Sequence, residues 1–261
     1  MSAFIVAGGS LLELGCPSTL DRSTEQQVSF TPIIGGKVKA FVRRGGRRSW
    51  SIDTALARPG EVSTIEAVAR QMGPFGWYDA AAAIGNLLSP QASSFDPAPV
   101  NSTDAGLVQL PDGTVARSVV HAGTGAVNVG DAHGSYEMVP VRSGVPVTVG
   151  AWASGGVRFS GFWRDAAGVS ITNFAGQTHS FTGWEWRENT LTPPSGAAFL
   201  SLALTTGTQY ALPSVAWGGQ GRAELGTGCP KALIHSPSHS PIALWQGANY
   251  SNSSYRVTEV G

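Results

Sequence analysis

Between residues 115 and 217 one local pattern recurs with little interruption. Short runs rich in Val, Ile, Thr, Phe and Trp at 115–121, 136–141, 145–153, 157–163, 169–174, 181–190, 197–204 and 211–217 are separated by Gly, Pro, Ser or Asp. None of these runs has the 3.6-residue period of a helix face, so the region can bury its apolar side chains only by pairing strands and stacking sheets. Strands at this regular spacing predict a jelly-roll-like β-sandwich. The chain as a whole is expected to be mainly β.

The amino-terminal part reads as short strands at 4–6, 28–34 and 38–42, set between the pairs Gly8-Gly9, Gly35-Gly36 and Gly45-Gly46. A longer strand over 49–56 places Trp50, Ile52 and Thr54 on one phase. One helix is predicted over 60–73, where Ile65, Val68, Ala69 and Met72 fall at i, i+3, i+4 and i+7. Ser63 with Glu66 has capping-box spacing, and Gly73-Pro74 is a stop. From Asn86 to Pro99 the Pro- and Ser-rich texture reads as a linker or extended edge. Beyond Gly218, three last strands at 232–235, 242–246 and 255–260 are too few for a domain and are expected to complete the amino-terminal unit. The expected organisation is therefore one unit from 1–85 and 219–261, with a sandwich inserted at 86–218.

Charge narrows the possible partners. The 261 residues carry 17 Lys plus Arg against 17 Asp plus Glu, and a net charge of zero argues against a coat for nucleic acid, which needs a basic excess. A hydrophobic content of 42%, with eight Trp and ten Phe, excludes a disordered chain. No apolar run reaches the roughly 20 residues of a membrane-spanning helix. Met1 to Ser10 lacks the basic start and apolar stretch of a secretory signal, so synthesis and retention in a cytoplasm are expected. Two Cys make no disulfide framework. With only 13% charged residues, the surface is dominated by hydroxyls, backbone and rings, which suits assembly or neutral polar ligands.

Several phrases in order carry a resemblance. Asn86-Leu87-Leu88, then Phe162-Trp163-Arg164-Asp165-Ala166-Ala167-Gly168, residues 184–190, 193–198 and 210–217 together resemble the carbohydrate-binding-like sandwich of minor tail proteins from actinobacterial siphophages. The flanks are similar to the ring-forming domain of phage distal tail proteins in their strand-rich start, the Trp-containing strand after an Arg-rich turn, the single helix and the ending at 250–261. The resemblance implies a virion structural protein at the tail tip, made in the host cytoplasm, that forms a ring around the channel as a hexamer. Its partners would be its own copies, the tail tube, other tail-tip proteins and host cell-wall glycan. No cofactor, membrane or specific nucleic acid is implied. A free carbohydrate-binding protein and a glycoside hydrolase are the alternatives.

Aromatic residues carry the main chemical signal: Trp152, Trp163, Trp184, Trp186 and Trp217 with Tyr136 and Tyr210. Sugar rings stack their C–H faces on indole while nearby polar groups bond the hydroxyls. Trp184, Trp186, Trp217, Tyr210 and Asp165 are the candidate saccharide contacts, although a sandwich also needs buried aromatics and any one of them can belong to the core. Trp184 and Trp186 share one strand phase and Glu185 and Arg187 the other, so one pair must face the core of a half-buried strand. Asp165 has a competing role in a hairpin turn that ends at Gly168; calcium would need more carboxylates than the sequence gathers there.

Six of the 17 cations, Lys37, Lys39, Arg43, Arg44, Arg47 and Arg48, cluster on an expected hairpin. Arg43, Arg44, Arg47 and Arg48 read first as a subunit interface that pairs with carboxylates of a neighbouring copy, then as a solvated turn, then as a DNA contact. Cys16, Cys229, His235 and His239 could form a zinc set, against which stand the isolation of each Cys and Pro237 between the histidines. No nucleophile elbow, metalloprotease motif or phosphate loop is present. For a paired-carboxylate hydrolase, Glu185, Glu188 and Asp165 are the residues to examine.

Overall fold

Hydrogen-bonded strands make up most of the chain, as the patterning requires. A computed structural model describes residues 3–25, 28–32, 38–42, 47–71, 73–130, 135–245 and 248–260. Strands β1 (Ala3–Ala7), β2 (Ser10–Leu14), β3 (Thr19–Glu25), β4 (Val28–Pro32), β5 (Val38–Val42) and β6 (Arg47–Ala57) come first. Helix α1 (Pro59–Arg70), strand β7 (Phe75–Tyr78) and the short helices α2 (Ala80–Ile84) and α3 (Pro90–Ser93) follow. Next are β8 (Ser102–Gln109), β9 (Val115–His121), β10 (Val127–Asn128), β11 (Val139–Pro140), β12 (Val147–Ser154) and β13 (Val157–Arg164). The last are β14 (Ser170–His179), β15 (Trp184–Leu191), β16 (Phe199–Thr205), β17 (Gln209–Trp217), β18 (Cys229–Trp245) and β19 (Ala248–Glu259).

These elements divide into two compact units, one from Leu14–Phe75 and Lys231–Gly261, the other from Ser2–Glu13 and Gly76–Pro230. The segments 2–13, 76–85 and 219–230, expected in the flanking unit, thus belong to the second. The reason lies in packing: Val6, Tyr78 and Ala82 are buried in the second unit's core, with Phe4 and Leu11 against it.

In the first unit β3 pairs with β6, β6 with β19 and β19 with β18, all antiparallel. Trp50, Ile52 and Thr54 are all buried, as their shared phase predicts. Helix α1 buries Ile65 and Val68 and packs on β19. It starts earlier than Ser63. Pro59 occupies the first helical position with its φ already fixed, and the Glu61 carboxylate accepts from the Arg58 N–H at 3.2 Å. The Ser63 hydroxyl instead donates back to the Pro59 carbonyl at 2.7 Å. Met72 lies outside the described residues. At the carboxyl end, the runs at 232–235 and 242–246 are parts of one strand, β18, with Gln246 outside the described residues. Register shifts between His235 and Ser238 and between Pro241 and Ala243 let it pass Pro237 and Pro241, and Ser236 takes a φ of 50° there.

Arg48 is the most deeply buried charged residue among the described residues of this unit. Its Nε donates to Glu259 Oε2 at 2.9 Å and its Nη2 to Oε1 at 2.7 Å, while its backbone N–H reaches Oε2 at 3.2 Å. The side chains are 4% and 11% exposed. The guanidinium also lies 5.3 Å from the centroid of the buried Trp50 ring, with Arg22 at 6.0 Å.

The second unit is a sandwich of two five-stranded sheets, one ordered β15-β12-β17-β9-β8, the other β10-β16-β13-β14 with β11 beside β16. Val147, Val149 and Ala151 of β12 share one core with Phe159 and Trp163 of β13 and Leu200, Leu202 and Leu204 of β16. The stretch 86–99 is no linker. Leu87, Leu88, Ala92 and Phe95 are buried in that core, so the prolines mark a short helix and turns in place of extended chain. Asn86 is fully buried, and its amide donates to the carbonyls of Pro213 and Glu224, both at 2.9 Å, and accepts from the N–H groups of Leu88 and Val215.

Removing one partner of a buried ion pair strands the other charge, at about 3–5 kcal/mol. Glu259→Ala should therefore lower the urea stability of the full chain by about that amount, read as a shifted unfolding midpoint, whereas Glu25→Ala, an exposed position, should change it by less than about 1 kcal/mol.

Candidate saccharide shelf

Strand β15 forms one edge of its sheet, and its register on β12 decides which side chains face out. Trp152 pairs with Trp186, Ser154 with Trp184 and Gly150 with Glu188, and directly opposed residues share a face. The alternate phase of β12, Val147, Val149, Ala151 and Ala153, is in the main core. Trp184, Trp186 and Glu188 therefore lie on the outer face. There Trp152, Leu110, Ala116, Ala211 and Leu212 form a second apolar cluster on which Trp184 and Trp186 rest, each still partly exposed.

Trp186 is held on several sides. Its ring meets Trp152 edge-on, centroids 6.2 Å apart. Its Nε1–H donates to Glu188 Oε2 at 3.2 Å, and the same oxygen accepts from the Gly221 N–H at 2.9 Å. A Cβ on Gly150 would stand 2.6 Å from the Trp186 ring, so that glycine makes the space the indole occupies. Trp152 Nε1 is buried without a hydrogen-bond partner. The result is a shelf of two partly exposed indoles, with one exposed carboxylate fixed at its end.

The opposite phase of β15 behaves unexpectedly. Glu185 and Arg187 point to the side of the sheet that carries the core, yet they remain half exposed and pair with each other. At a sheet edge the inner face reaches water, so an ion pair can stand where a central strand would need apolar groups. Arg187 also lies 5.4 Å from the Phe181 ring centroid, and Asn189 bonds His179 at 3.0 Å.

The other expected contacts are taken up by the fold. Tyr210 is fully buried, and its hydroxyl accepts from the Gly207 N–H at 2.7 Å; burial pushes its pKa up to about 12, against that hydrogen bond. It cannot touch a sugar. Trp217 stacks edge-on against Phe4 at 5.0 Å and donates from Nε1 to the Pro140 carbonyl at 2.9 Å, so the ring expected at a loop fastens the amino-terminal hairpin instead. Asp165 is the turn residue: its Oδ1 accepts from the N–H groups of Ala167 and Val169, both at 2.9 Å, and Gly168 has a φ of 80°. Glu185 and Glu188 occupy opposite faces of β15 and Asp165 serves its turn, so these three carboxylates do not converge.

Of the arginines expected at an interface, Arg48 is corrected: its carboxylate partner is Glu259 of its own chain, and it is too buried to meet another subunit. Arg47 is exposed opposite Glu25 of β3. Arg43 and Arg44 lie outside the described residues. Cys16 is exposed and Cys229 buried, and among the described residues no group of three His, Cys, Asp or Glu is placed to hold a metal. Sequence reasoning passed over Gly150 and Gly221, since nothing in a lone glycine announces the ring that will cover it.

No protein-family model and no curated protein matches the chain. Among solved structures, the enzymatically active domain of tailspike protein 4 from bacteriophage CBA120 is similar at 12% identity and a TM-score of 0.38, covering 51% of this chain and 21% of that one. The VP2 subviral particle of infectious bursal disease virus is similar at 10% identity and a TM-score of 0.23, covering 99% of this chain and 55% of that one. The chain thus spans about a fifth of the tailspike domain and about half of the VP2 chain.

Two outcomes follow from this geometry. Gly150→Val should push Trp186 off the strand, changing near-ultraviolet circular dichroism and destabilising the sandwich by about 1–3 kcal/mol. The Tyr210 pKa is raised in the folded state, so its contribution is complete below the ordinary tyrosine value of about 10 and fades as pH rises through about 12. Tyr210→Phe should accordingly flatten the loss of thermal stability across that alkaline window, at a neutral-pH penalty of about 1 kcal/mol for the Gly207 hydrogen bond.

Proposed function

We propose that this chain is a structural protein of a phage virion, assembled as a ring at the tail tip, whose sandwich offers the Trp184 and Trp186 shelf to a saccharide of the host surface. The observation that carries the binding half is the shelf itself. Two indoles stay partly exposed on the outer face of an edge strand, one of them locked by Trp152, Glu188 and Gly221, where a sequence making only a core would have left polar residues. Rigid rings lose little conformational freedom when a sugar stacks on them. The assembly half rests on the ordered sequence phrases that resemble those of tail proteins, together with a first unit formed from two separate stretches of the chain, Leu14–Phe75 and Lys231–Gly261.

The two halves are tested separately. Light scattering on the purified full chain should give the mass of a closed ring of about six copies, and a monomer at all concentrations would remove the ring reading. For the shelf, soluble host cell-wall polysaccharide should quench tryptophan fluorescence saturably. The variant carrying both Trp184→Ala and Trp186→Ala should bind at least about tenfold more weakly, the equivalent of about 1.4 kcal/mol. Equal binding by that variant would move the site elsewhere.

A further inference from the structure

The first unit contains a polar cluster that the proposed function does not use. His239 of β18 and Ser253 of β19 are directly opposed across the strand pair, and Thr54 of β6 is opposed to Ser253 on its other side. Ser253 is 2% exposed and its hydroxyl has no hydrogen-bond partner; neither ring nitrogen of His239 has one. Buried polar atoms almost always find partners, so three neighbouring atoms without them mark an arrangement left incomplete. The nearest candidate is Glu66 of α1, whose Oε1 stands 3.8 Å from His239 Nε2, beyond hydrogen-bond reach.

We propose that His239 and Glu66 form a proton-operated latch that tightens α1 onto the β18–β19 hairpin in mild acid. A neutral imidazole carries one N–H, whereas imidazolium carries two and brings a positive charge. Once charged, the ring closes the remaining gap of about 1 Å to a charge-assisted hydrogen bond with the carboxylate. The other groups around the ring allow this. From α1, Arg70 meets the second oxygen of Glu66 at 3.5 Å and is itself 81% exposed, while Glu61 lies against Tyr255. From β19 and β6 come Ser253, Tyr255 and Thr54, all uncharged at neutral pH, and on β18 itself His235 is exposed. Among the described residues, the charged group in ion-pair contact with His239 is the Glu66 carboxylate. The carboxylate favours the charged ring, so the extra attachment belongs to the acidic form of the cluster.

Amide hydrogen exchange of the full chain, corrected for intrinsic rates, measures this attachment directly. Between pH 7.5 and pH 5.5, protection across Pro59–Arg70 should rise about tenfold in the wild type and stay level in Glu66→Gln and in His239→Gln. Protection that stays level or falls in the wild type overturns the latch, as does a rise that persists in Glu66→Gln. If His239→Gln disturbs the sheet, β19 loses protection at both pH values, and Glu66→Gln, altered at a half-exposed partner, still decides the matter.

Discussion

The bidentate pair between Arg48 and Glu259 closes the chain on itself. The two residues are 211 positions apart, and between them runs nearly all of the second unit. Bringing such distant segments together costs chain entropy before any contact is gained, and strand pairing along β6 and β19 recovers it only if the register is right. A planar guanidinium that must meet two carboxylate oxygens, with the Trp50 ring beside it, allows little slippage. The wrong register would leave a charge buried alone, which gives the pair its influence on specificity. This also explains why a cluster of arginines that looked like an external surface contributes, at Arg48, to internal order.

The sandwich was legible in outline because its signals are local. Alternation in Val157 to Trp163 and in Phe199 to Leu204, with turn residues between strands, says which side chains pair and which face water. The Asp165 turn and the phase of Trp50, Ile52 and Thr54 were legible for the same reason. What escaped was set by partners distant in sequence. Strand β3 is polar at every position but Leu20 and is a strand because β6 offers it a ladder. Prolines and serines at 86–99 suggested a linker because pattern alone cannot show that Leu87 and Phe95 have a core to enter. Tyr210 and Trp217 looked like contacts for a ligand, and their hydrogen bonds to Gly207 and Pro140 are visible only in the fold.

The shelf illustrates how an edge strand can reverse the usual assignment of faces. On β15 the indoles lie outside and the ion pair lies on the core side, because the sheet ends there and water reaches both faces. The outer cluster around Trp152 gives those indoles a floor, so their exposure is partial and their orientation fixed. Rigidity of this kind comes from Trp152 together with the two glycines and one carboxylate that fit around Trp186.

Asn86 joins three stretches of backbone through a single amide, with two donated and two accepted hydrogen bonds. Its chemistry therefore has an unusual lever over time. Slow hydrolysis of a surface asparagine to aspartate adds a solvated charge that most proteins tolerate. At Asn86 the same loss of ammonia would aim a carboxylate oxygen at the carbonyls of Pro213 and Glu224, turning two attractions into repulsions at a fully buried side chain.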